Sequence, residues 1–274
     1  MAKLHIKIEL AEKAYSLNFP GTSVAIPLQF NGPQPNTYGV AKAQSQAYAA
    51  GGWVGDTRQG GSCNFETYNF TPHCNGTHTE CVGHIADMRL SVDTQLQESL
   101  IPATLISVEP VLGADAQDTY DPPLQPEDRV IERAQLEVAL ISARPEFLEA
   151  LLIRTLPNPL GKMEQDYMEK APAFFSLEAM QYIAKLQVKH LLVDLPSVDR
   201  LHDEGKLRNH HTFWNLPAGS HEVDPDRIPP ETITEMIFAP DQVQDGKYLL
   251  NLQIAAFVSD AAPSRPVLYS LEEI

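Results

Sequence analysis

Polar and apolar residues alternate from Leu4 to Leu10 (Leu-His-Ile-Lys-Ile-Glu-Leu), the period-two pattern of a strand with one buried face. Ser23 to Phe30 reads as a second strand, made irregular by Pro27. Two glycine pairs, Gly51-Gly52 and Gly60-Gly61, mark turns around Trp53, and clean alternation returns from Asn64 to Phe70. Ile101 to Val111 is β-rich and runs into an acidic, proline-containing loop from Asp115 to Glu127. Asp128 to Leu140 carries an imperfect helical period, and the short apolar run Leu151 to Thr155 fits a buried strand. The clearest helix begins at Ser176, a good N-cap, with Glu178 in the first turn and Met180, Ile183, Ala184 and Leu186 at helical spacing. His190 to Leu195 follows as a buried strand, so helix-then-strand order here predicts part of an α/β layer. Lys247 to Val258 alternates over its whole length. The pattern predicts a mixed, strand-rich α/β fold, with no repeat and no linker to divide residues 1–274 into more than one domain.

Composition narrows the partners. The chain has 274 residues, 20 Lys+Arg against 36 Asp+Glu, and a formal charge of −16, which repels phosphate backbones and anionic membranes. Nucleic acid and lipid are therefore not expected as partners. Three cysteines argue against a disulfide framework and for a reducing cytoplasm. The alternating N-terminus lacks the unbroken apolar core of a signal peptide, and no run is long enough for a membrane span.

The densest chemistry lies between Thr71 and His84, where fourteen residues hold His73, His78, His84, Cys74, Cys81 and Glu80. His78 and Glu80 are two apart, so an extended segment points both to one side, and His84 can return to the same cavity after a turn. Imidazole and carboxylate around one point suit Zn²⁺ or a similar divalent ion. An all-cysteine or finger-type set is usually closed, whereas a mixed His/carboxylate set more often leaves a position for water. A second His-rich stretch runs from Leu207 to Trp214, with Glu235 later in the apolar run Ile233 to Phe238. An unpaired carboxylate buried there is costly, so a cation partner is expected for Glu235. Trp53, Phe213 and Trp214 are expected in the core rather than in a pocket wall, and Cys81 as a packing residue.

These segments together resemble the cyclase family that includes bacterial kynurenine formamidase, with its His-x-Gly-Thr-His-x-Asp-x-Pro-x-His segment after a Gly-Cys-Asn strand. Here Ser62-Cys63-Asn64 precedes Gly76-Thr77-His78-Thr79-Glu80-Cys81-Val82-Gly83-His84. Asp194-Leu-Pro-Ser197-Val-Asp199 resembles the family's Asp-x-Pro-Ser-x-Asp turn, and Asn209-His210 and Glu235 its later His and Glu. The resemblance runs from about residue 60 to the C-terminus.

The resemblance implies a swivelling β/β/α domain and a metal-dependent, arylformamidase-like hydrolase that cleaves a carbon–nitrogen bond in a small-molecule amide. It further implies one or two Zn²⁺ (or Mn²⁺) ions per chain and a homodimer or homotetramer. Cys74, His78 and Glu80 would hold one metal, Glu80, His210 and Glu235 a second, and His84 would move protons as the catalytic residue. Strict register places the family's first histidine on Cys74, with His73 one residue early, so Cys74 is preferred and His73 is the alternative. Glu80 stands for the family aspartate and Val82 for its proline. Twenty-four residues separate His210 from Glu235, about twice the family spacing, which predicts an inserted loop near Pro217 to Pro230 able to cap the pocket. The rival reading is a non-catalytic protein of the same fold with a structural metal site or a small-molecule pocket without turnover.

Overall fold

The computed structural model describes residues 5–274. Leu4, the first residue of the expected opening strand, lies outside them, and that strand covers Lys7–Leu10. The scaffold is a large mixed sheet, in keeping with the expected strand-rich α/β class. Its centre is four parallel strands in the spatial order Leu100–Val108, Ala150–Thr155, His190–Val193, Thr232–Glu235. Gly246–Asn251 flanks the first of these antiparallel, and His78–Cys81 flanks the last antiparallel. Ala261–Pro263 closes that edge against His78–Cys81.

Ala150–Thr155 and His190–Val193 are buried along their whole length, which is why they appear in the sequence as mainly apolar runs rather than alternations. On one face Ile106, Leu151, Ile153, Leu191 and Val193 pack against the helix Leu177–Lys185 through Met180 and Ile183. Ser176 caps that helix as expected, its hydroxyl accepting the Ala179 amide at 3.0 Å.

Three expected elements differ. From Ser23 to Phe30 only Thr22–Ser23 pairs as strand, because the amides of Val24 and Ile26 turn to the Pro266 carbonyl and the Thr77 hydroxyl. Asp128 to Leu140 splits into a strand at Arg129–Ile131 and a helix at Arg133–Ala139, with Glu132 and Gln135 forming a capping box between them. The strand beginning near Lys247 ends at Asn251, and Phe257 and Val258 lie exposed beyond it. Among the described residues no helix is long and apolar enough to cross a membrane.

Candidate active site

Strand geometry brings the first residues together. On His78–Cys81 the side chains of His78 and Glu80 share one face, as their spacing predicts, and antiparallel pairing sets Glu235 directly opposite His78. The chain then tightens into a short 3₁₀ turn, Val82–His84, that swings His84 back over Glu80. Gly83 is required there, since a Cβ would stand 2.4 Å from the Leu90 carbonyl oxygen. His84 Nδ1 lies 3.7 Å from Glu80 Oε2 and 3.5 Å from Asp260 Oδ2.

His73 arrives from the preceding helical turn, Pro72–Asn75. A turn of helix rotates successive side chains by roughly 100°, so His73 and Cys74 cannot face the same point. His73 is the one that meets the cluster, with Nε2 3.5 Å from Glu80 Oε2 and 3.0 Å from Asp260 Oδ2. Cys74 lines the adjoining cavity but joins none of the groups of converging ligand atoms. Burial, reinforced by Glu235, pushes its thiol up to about 11. Strict motif register prefers Cys74, but the helical turn Pro72–Asn75 sets the alternative, His73, beside Glu80.

His210 comes from the opposite side, on the short helix Arg208–Phe213. Asp199 holds that helix start and the ring together: Asn209 N and His210 N donate to its carboxylate at 2.7 and 3.1 Å, and His210 Nδ1 donates at 2.6 Å. The ring is thereby turned so that Nε2 sits 3.1 Å from Glu80 Oε1. Its neighbour His211, the alternative of the adjacent histidine pair, lies by His221 with ring centroids 6.3 Å apart and joins none of the groups of converging ligand atoms. Glu235 Oε1 accepts the Val198 amide at 3.0 Å, leaving Oε2 3.5 Å from His78 Nε2.

The electrostatics of this arrangement call for a cation. His78 Nδ1 lies 3.0 Å from the Gly76 carbonyl oxygen, which can only accept, so Nδ1 carries the proton and Nε2 of the neutral ring is a bare lone pair. That lone pair is fully buried, has no hydrogen-bond partner, and faces the Glu235 and Glu80 carboxylates at 3.5 and 4.0 Å. Glu80 Oε2 is likewise buried and unpartnered, at the centre of a ring formed by His73, His78 and His84. Such atoms are costly unless something positive lies between them. Burial would raise the Glu80 carboxyl, yet His84, His210 and His73 outweigh it and hold it well below the usual range. Burial would lower His210, but Asp199 and Glu80 drive it well above its ordinary value. Hydrogen bonding from His73 and His84 depresses Asp260. The residues therefore fit a divalent ion, with three overlapping donor groups: His78/Glu80/Glu235, Glu80/His84/His210 and His73/His84/Asp260.

His73, Glu80, His84, His210 and Glu235 line a cavity of about 680 Å³ whose surface is largely apolar, together with Tyr38, Pro196, Ser197, Leu201 and Leu207. The 217–230 loop is absent from that wall; His221 within it donates to the Ile85 carbonyl at 2.7 Å, away from the opening. Phe213 and Trp214 are core residues as expected, and Cys81 packs with Val92 and Ala262, but Trp53 is 71% exposed. Two carboxylates in contact with the cluster lie outside the set that the sequence singles out. Asp199 was visible in the Asp-Leu-Pro-Ser-Val-Asp turn but was given no part in the site, while Asp260 sits in a Ser-Asp-Ala segment with no signal of its own.

Fold and site thus define an α/β protein with a buried imidazole–carboxylate centre at the base of an open pocket. The chain belongs to the cyclase family: the family model described as putative cyclase matches residues 10–200. A kynurenine formamidase of Bacillus cytotoxicus is 26% identical over 231 residues, covering 80% of this chain and 91% of the relative. The fold is shared with a predicted metal-dependent hydrolase from Bacillus stearothermophilus (TM-score 0.54, 15% identity, 91% of this chain and 98% of the other). It is shared too with isatin hydrolase A from Ralstonia solanacearum (TM-score 0.56, 14% identity, 91% of each chain).

Proposed function

We propose that this protein is a metal-dependent hydrolase that opens a carbon–nitrogen bond of a small amide or formamide, as the formamidase relative's name suggests. The observation that carries the reading is the unpartnered His78 Nε2 set against Glu80 and Glu235 on the floor of an open cavity. His78, Glu80 and Glu235 would hold one ion, and Glu80 and His210, with His73 and Asp260 beside them, offer donors for a second. A bound Zn²⁺ or Mn²⁺ would lower the pKa of water from about 15.7 toward ~7 and polarise a carbonyl oxygen.

The remaining work falls to the chain's own residues. His84 lines the cavity and is partly exposed, so its imidazole can meet a substrate. A proton taken from the attacking water is stabilised at His84 Nδ1 by Asp260 Oδ2 and Glu80 Oε2. As the water oxygen bonds to the carbonyl carbon and the carbon–nitrogen bond breaks, the same imidazole returns the proton to the departing nitrogen. Asp199 acts through His210, fixing which ring nitrogen faces Glu80. The apolar walls around Leu201 and Leu207 suit a flat, weakly polar substrate.

The test is His84→Ala, read by metal content and by turnover on a panel of aryl formamides, amides, lactones and esters. We expect the bound metal to remain and kcat to fall by roughly 10²–10⁴-fold. Loss of metal in this variant would make His84 a ligand and remove the assigned role.

A further inference from the structure

The second cavity of chemical interest lies beyond the carboxyl ends of the parallel strands Ala150–Thr155 and His190–Val193, the position where open α/β sheets usually hold ligands. It measures about 140 Å³ and is separate from the imidazole–carboxylate centre. Its lining carries Arg129, Lys162 and Lys170 against a single carboxylate, Asp194. In a chain of net charge −16, that local excess of two positive charges runs against the molecule as a whole.

The charges are not already consumed by one another. Lys162 Nζ is bonded to Asp194 Oδ2 at 2.8 Å and to Thr155 Oγ1 at 2.9 Å, and Thr155 N and Oγ1 occupy the same carboxylate at 2.9 and 3.0 Å. Arg129 makes only a 3.4 Å contact to the Pro110 carbonyl, and neither it nor Lys170 has an ion-pair partner among the described residues. Tyr167 lines the cavity and is 4% exposed, and among the described residues its hydroxyl has no hydrogen-bond partner in the protein, whereas Lys170 stands at the exposed rim. Burial, then Asp194, push that hydroxyl upward, so it remains a donor. A phenol held as a donor beside two cations that have no carboxylate partner suits an oxyanion.

The geometry points to a binding site for a small doubly charged oxyanion of the phosphate class, held by Arg129, Lys170 and the Tyr167 hydroxyl, with Lys162 neutralised by Asp194. The volume admits one such ion with little room for a larger body, so free phosphate or the phosphate end of a monoester is the class it takes. The site also touches the catalytic cavity through the chain. Asp194 is followed by Leu195, Pro196 and Ser197, and the last two line the larger pocket, while Val198 N donates to Glu235.

The test is calorimetric titration of the intact protein with inorganic phosphate, with chloride at matched ionic strength as control, and with glycerol phosphate as the monoester arm. We expect saturable phosphate binding that weakens at least tenfold in Arg129→Gln/Lys170→Gln and severalfold in Tyr167→Phe, which keeps the packed ring. Binding of the monoester with equal or greater affinity assigns the site to a phosphorylated ligand; binding of phosphate alone assigns it to the free ion. Binding that both variants retain would place the anion at the imidazole–carboxylate centre and overturn the proposal, as would a titration matching the chloride control. Neither outcome touches the hydrolase reading, since none of these side chains lines its pocket.

Discussion

Glu80 is the residue on which the site turns. Its Oε2 is approached by three imidazoles and its Oε1 by a fourth, and it is held ionised in spite of complete burial. Spacing from His78 was enough to place it, because period-two geometry in a strand depends on nothing beyond the strand. His73 and Cys74 show where that logic stops: one helical turn between two extended segments reverses which neighbour faces inward. Asp199 shows a second limit, since its role is exerted through a ring eleven positions away in sequence. Removing its charge by Asp199→Asn should leave the fold intact while weakening metal binding roughly 10–100-fold in a chelator-competition titration. Unchanged affinity would reduce Asp199 to a helix-capping residue.

At the scale of elements, the site is a meeting of a strand pair, a 3₁₀ turn and a short helix. The strands were legible because burial on both faces writes itself as unbroken apolar sequence, as in Leu151 to Thr155 and His190 to Val193. The Leu177–Lys185 helix was legible from its cap and period together. Less local features were not. The amides of Val24 and Ile26 find partners on Pro266 and Thr77, so no window around Ser23 to Phe30 reveals why pairing stops. Asp260 joins the cluster only because Ala261–Pro263 pairs with His78–Cys81 across most of the chain length. The turn that delivers His84 depends on Gly83 lying against the Leu90 carbonyl. Gly83→Ala should therefore cost about 1–3 kcal/mol of unfolding free energy by overpacking and lower kcat by displacing His84. Denaturant unfolding and steady-state kinetics on one preparation check both; a stable, fully active variant would show that the turn relaxes freely.

For the whole molecule, the acidic charge and a larger cavity lined by Glu80, Asp203, Glu204 and Glu235 but by no lysine or arginine favour a centre that a divalent ion would balance. By family resemblance we also expect assembly into a homodimer or homotetramer, which light scattering would size. One stability term is independent of the site. His190, buried at the start of its strand with Lys189 beside it, is pushed down to about 4, burial being the larger cause. The unfolded chain binds this proton near pH 6.5 and the folded chain only near about 4, so stability falls as pH drops through that window. Wild-type protein should lose about 3 kcal/mol more than His190→Gln between pH 7 and pH 4 in denaturant unfolding. Coincident pH profiles would mean that His190 titrates as a solvated histidine.

The central claim is that the imidazole–carboxylate cluster is a hydrolytic metal site. The most direct measurement is elemental analysis of the purified protein, coupled to turnover of the amide panel before chelation, after it, and after Zn²⁺ or Mn²⁺ is restored. We expect about one or two divalent ions per chain, hydrolysis of at least one amide, its loss on chelation and its return with the metal. Protein that binds no divalent ion, or that binds it stoichiometrically and hydrolyses nothing in the panel, would contradict it.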